Sequence, residues 1–297
     1  MVKMVVCIKQ VPLVSELPWD PKTGTLQRDL AEGMMNPACR AALEAALRIR
    51  EAEGGEIAAI TMGPPMAEEV LREAIALGAD RGILLTDRRM AGGDTFATSY
   101  TLARAIEQTC AGFDLILCGA ATSDSETAQV GPQLAEELAI PGVAYVAEIE
   151  VAGRTATLRR IADNFLETLE MDLPGLVTMT TGVQAPRYVP LGGLQAAFDA
   201  ADIAAFDAAA LGLDPERIGA RGSATRILNV YSPTAKKENC VLTGTPKRIV
   251  EQLFDEFDDK IGGAISQDLK SSKRGSPTRR SEASGCSATT GTPSITG

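Results

Sequence analysis

Short runs of consecutive apolar residues alternate with stretches in which apolar residues recur every three or four positions, and this alternation organises the first half of the chain. Val2–Val11 is apolar nearly throughout, broken only by Lys3, Lys9, Gln10, as expected of a strand covered on both faces. Asp20-Pro21-Lys22-Thr23-Gly24 is a strong turn signal, so Trp19–Arg28 is expected as a small hairpin excursion. Asn36-Pro37 opens a helix, Asn as cap and Pro in the first turn, with Leu43, Ala46, Leu47 and Ile49 on its buried side. Ile57–Met62 reads as a second strand, Met66–Leu77 as a helix ended by Gly78, and Gly82–Thr86 as a third strand. A helix over Phe96–Cys110, capped by Asp94 or Thr95, leads to a fourth strand at Leu115–Gly119. Three strand–helix repeats at this spacing call for right-handed crossovers and a parallel sheet.

The rhythm then changes. Val143–Glu150, Thr155–Ile161, Phe165–Glu170 and Leu176–Thr180 are strand-like with no helix between them, which predicts an antiparallel extension of the parallel core. Leu191–Ala210 is alanine-rich and weakly helical, Gly212–Ser232 has little periodicity, and Thr245–Phe257 is helical again. From Ser266 the chain is almost free of large apolar residues and rich in Ser, Thr and Gly; it buries too little to offset its ordering entropy and is expected as a disordered tail. The fold class is α/β: a Rossmann-like parallel sheet with helices on both faces, an antiparallel strand extension and a C-terminal arm. The expected divisions are 1–190, 191–264 and 265–297.

Composition narrows the chemistry. The 297 residues carry a formal charge of −10, so nucleic acid and anionic membrane are poor partners, and no apolar stretch reaches a membrane-spanning length. The start MVKMVVCIKQVP lacks the cleavage site of a signal peptide. Cys7, Cys39, Cys110, Cys118, Cys240 and Cys286 are scattered with no CxxC pair, the usage of reduced thiols in a cytoplasmic protein. There is no histidine, which excludes Ser-His-Asp and Cys-His nucleophiles and histidine-ligated zinc. Chemistry done here is borrowed from a cofactor or a partner chain.

The stretch Cys118–Glu137 is the best candidate site. A buried strand ends at Gly119, small and polar residues follow, and Thr127 precedes a helical face formed by Ala128, Val130, Leu134, Ala135 and Leu138. Strand, small-residue turn and helix N-terminus offer unpaired N–H groups and a positive dipole end to a phosphate, although an ordinary βα loop with a good N-cap has the same pattern. A P-loop is absent, and Lys9-Gln10-Val11-Pro12 is not the GxGxxG of a dehydrogenase.

Four segments together resemble the small (beta) subunit of electron-transfer flavoproteins: VVCIKQVP, MNPACRAALEAALRIRE, DSETAQVGPQLAEEL and FLETLEMDLPGLVTMTTGVQAPRYVPL. They occur in the family's order across Val2–Leu191, with weaker similarity to about Gly262. The third is the most specific; Glu126 replaces the family's second Asp, and Ala120-Ala121 stand where a basic residue and Gln are common. The resemblance implies an adenine nucleotide alpha-hydrolase-like domain holding AMP or, in electron-bifurcating members, a second FAD. It also implies a heterodimer with a large alpha subunit carrying the main FAD, on which residues 191–264 pack as an arm, and electron exchange with a flavin-containing dehydrogenase. Carried over residue by residue, the nucleotide would meet Cys7, Lys9, Asn36, Met62, Gly119, Asp124, Thr127, Ala128, Gln129, Val130 and Gly131. Glu167, Arg187, Tyr188 and Leu191 would face partners. Each has a plainer role available: core packing for Cys7 and Met62, capping for Asn36 and Thr127, bracing a turn for Asp124, solvent for Glu167.

Asp87–Ile106 resembles the bifurcating form, in which Asp94, Thr95 and Thr98 help to enclose a complete FAD, and FAD is therefore expected ahead of AMP. Gly92-Gly93 admits close backbone approach, and a second helix terminus suits the pyrophosphate and ribityl chain of a dinucleotide. The rival reading is a stand-alone, stress-protein-like nucleotide module without a redox role.

Overall fold

The computed structural model describes residues 1–13, 19–20, 25–26, 33–163, 165–182, 185–226 and 240–274. They divide into two units, Met1–Asn229 and Val230–Gly297. The first unit is built on a sheet of strands β1 (Val2–Cys7), β6 (Gly55–Met62), β7 (Arg81–Leu85), β8 (Leu115–Gly119), β9 (Gly142–Ala152), β10 (Thr155–Ala162), β11 (Phe165–Asp172), β12 (Gly175–Met179) and β13 (Ile203–Phe206). Outside it, β2 (Gln10–Pro12) pairs with β5 (Gly33–Met35), and β3 (Trp19–Asp20) with β4 (Thr25–Leu26). Helices α1 (Pro37–Glu53), α2 (Glu68–Leu77), α3 (Thr95–Thr109), α4 (Val130–Glu137), α5 (Leu191–Ala200) and α6 (Gly219–Gly222) complete the unit.

The strand order is β11-β10-β9-β12-β8-β1-β6-β7-β13. β1 lies parallel to β6 on one side and β8 on the other, so the winding reverses at the β1–β8 crevice. Period-2 alternation explains the two layers. Val2, Met4 and Val6 pack with α1 and α2, including Leu43, Leu47 and Leu71. Val5 and Cys7 pack with α3 and α4, including Tyr100, Ile106 and Leu134. Each fully buried Leu or Ile contributes about 1.5–3 kcal/mol of burial free energy.

The α/β fold with its antiparallel extension stands as the pattern predicts, β10 pairing antiparallel with both β9 and β11. Four details differ. The first strand stops at Cys7, and Gln10–Pro12 leaves the main sheet to pair with Gly33–Met35. Of the weakly helical segment, only Leu191–Ala200 is helix; Ile203–Phe206 joins the sheet beside β7. The open edge of β7 supplies ladder partners, and tertiary pairing outweighs alanine's helix propensity. Residues 191–226 therefore lie with the first unit, whose division from the second falls at Asn229–Val230. Last, in the second unit, α7 (Pro246–Arg274), with non-helical angles at Phe257, runs past Ser266, where the composition predicts disorder to begin. The tail from 275 lies outside the described residues.

Candidate functional site

The site forms at the carboxyl ends of β1 and β8, the reversal point where open α/β sheets bind ligands. Cys7, the last residue of β1, pairs in register with Cys118, one residue before the end of β8. Both are buried, as is Cys39. Contact with Cys118 and burial push the Cys7 thiol well above its ordinary range, and burial raises that of Cys39. A raised thiol is a poor thiolate nucleophile or ligand, so Cys7 and Cys39 have no need of either role to be accommodated here. Among the described residues no cluster of Cys, Asp and Glu could hold a metal ion.

Asn36 stands at the cap position of α1, but its side chain does not cap the helix. Buried, it reaches across the crevice: Nδ2 donates to the Ala121 carbonyl at 2.9 Å, and Oδ1 accepts from Ser123 N at 3.1 Å. It thereby pins the start of the loop after β8. Lys9, just past β1, places Nζ 2.7 and 2.9 Å from the Asp124 carboxylate oxygens. Burial pushes the Asp124 carboxyl up, but the Lys9 ammonium overrides this and holds it below its ordinary range. The pair cancels a negative charge beside a loop expected to meet phosphate. Gly119 lies against the start of α1; a Cβ there would stand 2.7 Å from Cys39 N.

Beyond Asp124 the backbone takes an uncommon course. Glu126 and Ala128 have φ of 50° and 55°, and Gln129 returns to φ −100°, ψ −28°. Adjacent left- and right-handed residues turn successive N–H groups to one side and make an anion-binding concavity. The N–H groups of Thr127, Ala128, Gln129, Val130 and Gly131 donate to no acceptor among the described residues. Thr127 is exposed and does not cap; α4 begins only at Val130, because the left-handed residues delay the helix. Gly131 is buried, and a Cβ on it would meet Thr178 Cγ2 at 2.3 Å. Its smallness serves the packing of α4 on β12.

The start of α3 is used differently. Asp94 Oδ1 accepts from Phe96 N and Ala97 N, the cap expected of it, while Oδ2 accepts from Thr225 N and Asp94 N donates to Ser223 Oγ. Burial pushes the Asp94 carboxyl up, and these N–H donors more than compensate, so it lies below its ordinary range. Of the first-turn N–H groups only that of Thr95 lacks an acceptor among the described residues. This terminus therefore presents hydroxyls, those of Thr95 and the half-buried Thr98, more than phosphate donors. Thr95 Oγ1 donates to Gln129 Oε1 at 2.9 Å, joining α3 to the loop. Ser223 and Thr225 come from a stretch whose sequence has no periodicity, so nothing in the pattern points to them. Met62, at the end of β6, lines a cleft of about 590 Å³ with Lys9, Val11 and Met66.

The residues expected to face partners lie elsewhere. Glu167 is paired across the β10–β11 ladder with Arg160 at 2.5 Å. Arg187 is committed within the chain: Nε and the backbone N bind Glu44 Oε2, and Nη1 binds Glu51 at 2.6 Å. Tyr188 and Leu191, by contrast, are 93% and 83% exposed. Gly192-Gly193 forms the first turn of α5, with Gly193 pressed against the Ala76 carbonyl.

The sequence matches the electron transfer flavoprotein domain over residues 23–211. It is 38% identical over 257 residues to electron transfer flavoprotein subunit beta of Thermoanaerobacterium thermosaccharolyticum, covering 86% of this chain and 98% of the relative. The chain belongs to the electron transfer flavoprotein family, among its beta subunits. Two further relatives widen the range of the family around it. Caffeyl-CoA reductase-Etf complex subunit CarD of Acetobacterium woodii is 41% identical over 244 residues, 82% of this chain and 92% of its own. Protein FixA of Sinorhizobium fredii is 39% identical over 282 residues, 91% of this chain and 98% of its own. An electron-transfer role thus comes with the family, and no helix among the described residues is long and apolar enough to cross a membrane.

Proposed function

We propose that this chain is the small subunit of a cytoplasmic, heterodimeric electron transfer flavoprotein, that it holds an adenine nucleotide at the β1–β8 crevice, and that this nucleotide is FAD. The observation that carries the reading is the run of five backbone N–H groups, Thr127–Gly131, without protein acceptors among the described residues. Unpaired donors in a concavity are costly unless water or an anion meets them, and phosphate fits. Gln129 adds a side-chain amide, and Lys9 compensates the Asp124 carboxylate. The Met62 cleft offers an apolar wall for a planar ring.

FAD ahead of AMP rests on the Thr95 hydroxyl, bonded to Gln129 of the same loop, and on Thr98 one turn further along α3, partners suited to a ribityl chain that AMP lacks. When bound, such a flavin supplies the one- and two-electron chemistry; the residues of the chain bind and orient it. The partner subunit in this reading is the large alpha chain with its own FAD, and a flavin-containing dehydrogenase exchanges electrons with the pair. Relatives named as parts of reductase complexes, such as the acryloyl-CoA reductase electron transfer subunit gamma of Anaerotignum propionicum, favour a carrier over a stand-alone nucleotide module.

The test is to denature the purified heterodimer and quantify released nucleotides. Two FAD per heterodimer is the expected result. One FAD with one AMP moves the assignment to a structural nucleotide at the same loop, and release of neither beyond the large subunit's FAD overturns the site.

A further inference from the structure

Thr95 makes a bond that neither helix capping nor the phosphate loop requires. Its hydroxyl donates to Oε1 of Gln129 at 2.9 Å. A glutamine amide has one acceptor side and one donor side, so filling Oε1 fixes which way the group faces. Nε2 is left with both protons, and it donates to no acceptor among the described residues. Gln129 itself lies within the run of unpaired N–H groups, at the threshold of α4.

Thr95 is held firmly enough to do this. It is the first residue of α3, directly after Asp94, whose carboxylate takes the N–H groups of Phe96 and Ala97 on one oxygen and that of Thr225 on the other. The chain around Thr225 is fixed in turn: Ser223 Oγ accepts from Asp94 N, and Ala220 N donates to the Ala91 carbonyl. The start of α3 is thus clamped from both sides.

We propose that Thr95 is a positioning residue of the phosphate loop: its hydroxyl orients the Gln129 amide so that Nε2 is presented as a donor to the phosphate of an adenine nucleotide. This rests on the reading of Thr127–Gly131 as the phosphate site. Thr95 acts through Gln129, so its contribution disappears when Gln129 has no amide.

The test is a double-mutant cycle on the full-length chain, titrating AMP and recording the melting temperature of each variant. Thr95→Val keeps the shape and removes the hydroxyl; it is expected to weaken AMP binding roughly tenfold, about 1.4 kcal/mol, with melting unchanged. Thr95→Ser restores affinity. Gln129→Ala weakens binding at least as much, and Thr95→Val then adds nothing further. Gln129→Glu, which keeps an acceptor for Thr95 but loses the donors, fails to rescue. Unchanged affinity in Thr95→Val, or an equal loss with and without the Gln129 amide, overturns the proposal while leaving the site intact. A wild-type chain that takes up no AMP overturns the reading of the site and this inference with it.

Discussion

At the scale of single residues, a small side chain can serve a ligand or a neighbour, and Gly131 shows how the two are separated. From the sequence, its place in DSETAQVGP suggests room for a phosphate. In the structure its Cα faces β12, where an added methyl would stand 2.3 Å from Thr178 Cγ2. Gly131→Ala is therefore expected to destabilise the fold by about 1–3 kcal/mol through overpacking, lowering the melting temperature. Adding Thr178→Ser, which removes that methyl but keeps the hydroxyl that accepts from Tyr145 N, is expected to recover much of the loss. Full melting stability in Gly131→Ala alone would return the glycine to the ligand. Residue identity revealed the loop but not this division of labour, because contacts between positions 47 apart leave no local trace. Asn36 is a similar case: its place before Pro37 reads as a cap, while its amide spans to Ala121 and Ser123.

Whole elements were the most legible part. Strands β6, β7 and β8 follow the expected order because both their faces are covered, and helices α1, α2 and α3 because their apolar spacing is unambiguous. Edge strand β13 was not legible, since Ile203–Phe206 is strand only by virtue of the edge that β7 leaves open. Nor was the second task of α1. Its Glu44, only 3% exposed, holds Arg187 and Arg48 and fastens residues 185–190 along the helix. Burial pushes the Glu44 carboxyl up, and the Arg187 and Arg48 hydrogen bonds outweigh it, leaving it below its ordinary range. A carboxyl depressed in this way stabilises the fold above its unfolded pKa, about 4.3, and that contribution is lost as pH falls through the folded value. Arg187→Ala leaves burial poorly opposed. It is expected to cost about 2–3 kcal/mol at pH 7 and to shift acid unfolding, followed by circular dichroism, to higher pH. An unchanged acid midpoint would show that Arg48 alone satisfies Glu44.

At the scale of the whole molecule, the loop after β8 and the exposed Tyr188 and Leu191 belong to different segments of the first unit. The candidate loop follows β8, whereas Tyr188 lies in the segment that α1 anchors and Leu191 opens α5 just after it. Leu191→Ala is accordingly expected to leave melting and nucleotide content unchanged, since the side chain is already 83% exposed. If it anchors a dehydrogenase, burial there contributes about 1.5–3 kcal/mol, and electron transfer at limiting partner concentration should slow roughly tenfold or more. Normal transfer would place docking elsewhere. The way this segment is fastened has a further consequence for how the protein can change over generations. Arg187 does the fastening, while the neighbouring Tyr188 and Leu191 side chains lend little to the stability of the chain that carries them. Mutation can therefore explore new chemistry at those two positions without endangering folding, and if a redox partner docks there, one inherited scaffold can be fitted to successive partners by altering the tip and keeping the rivet.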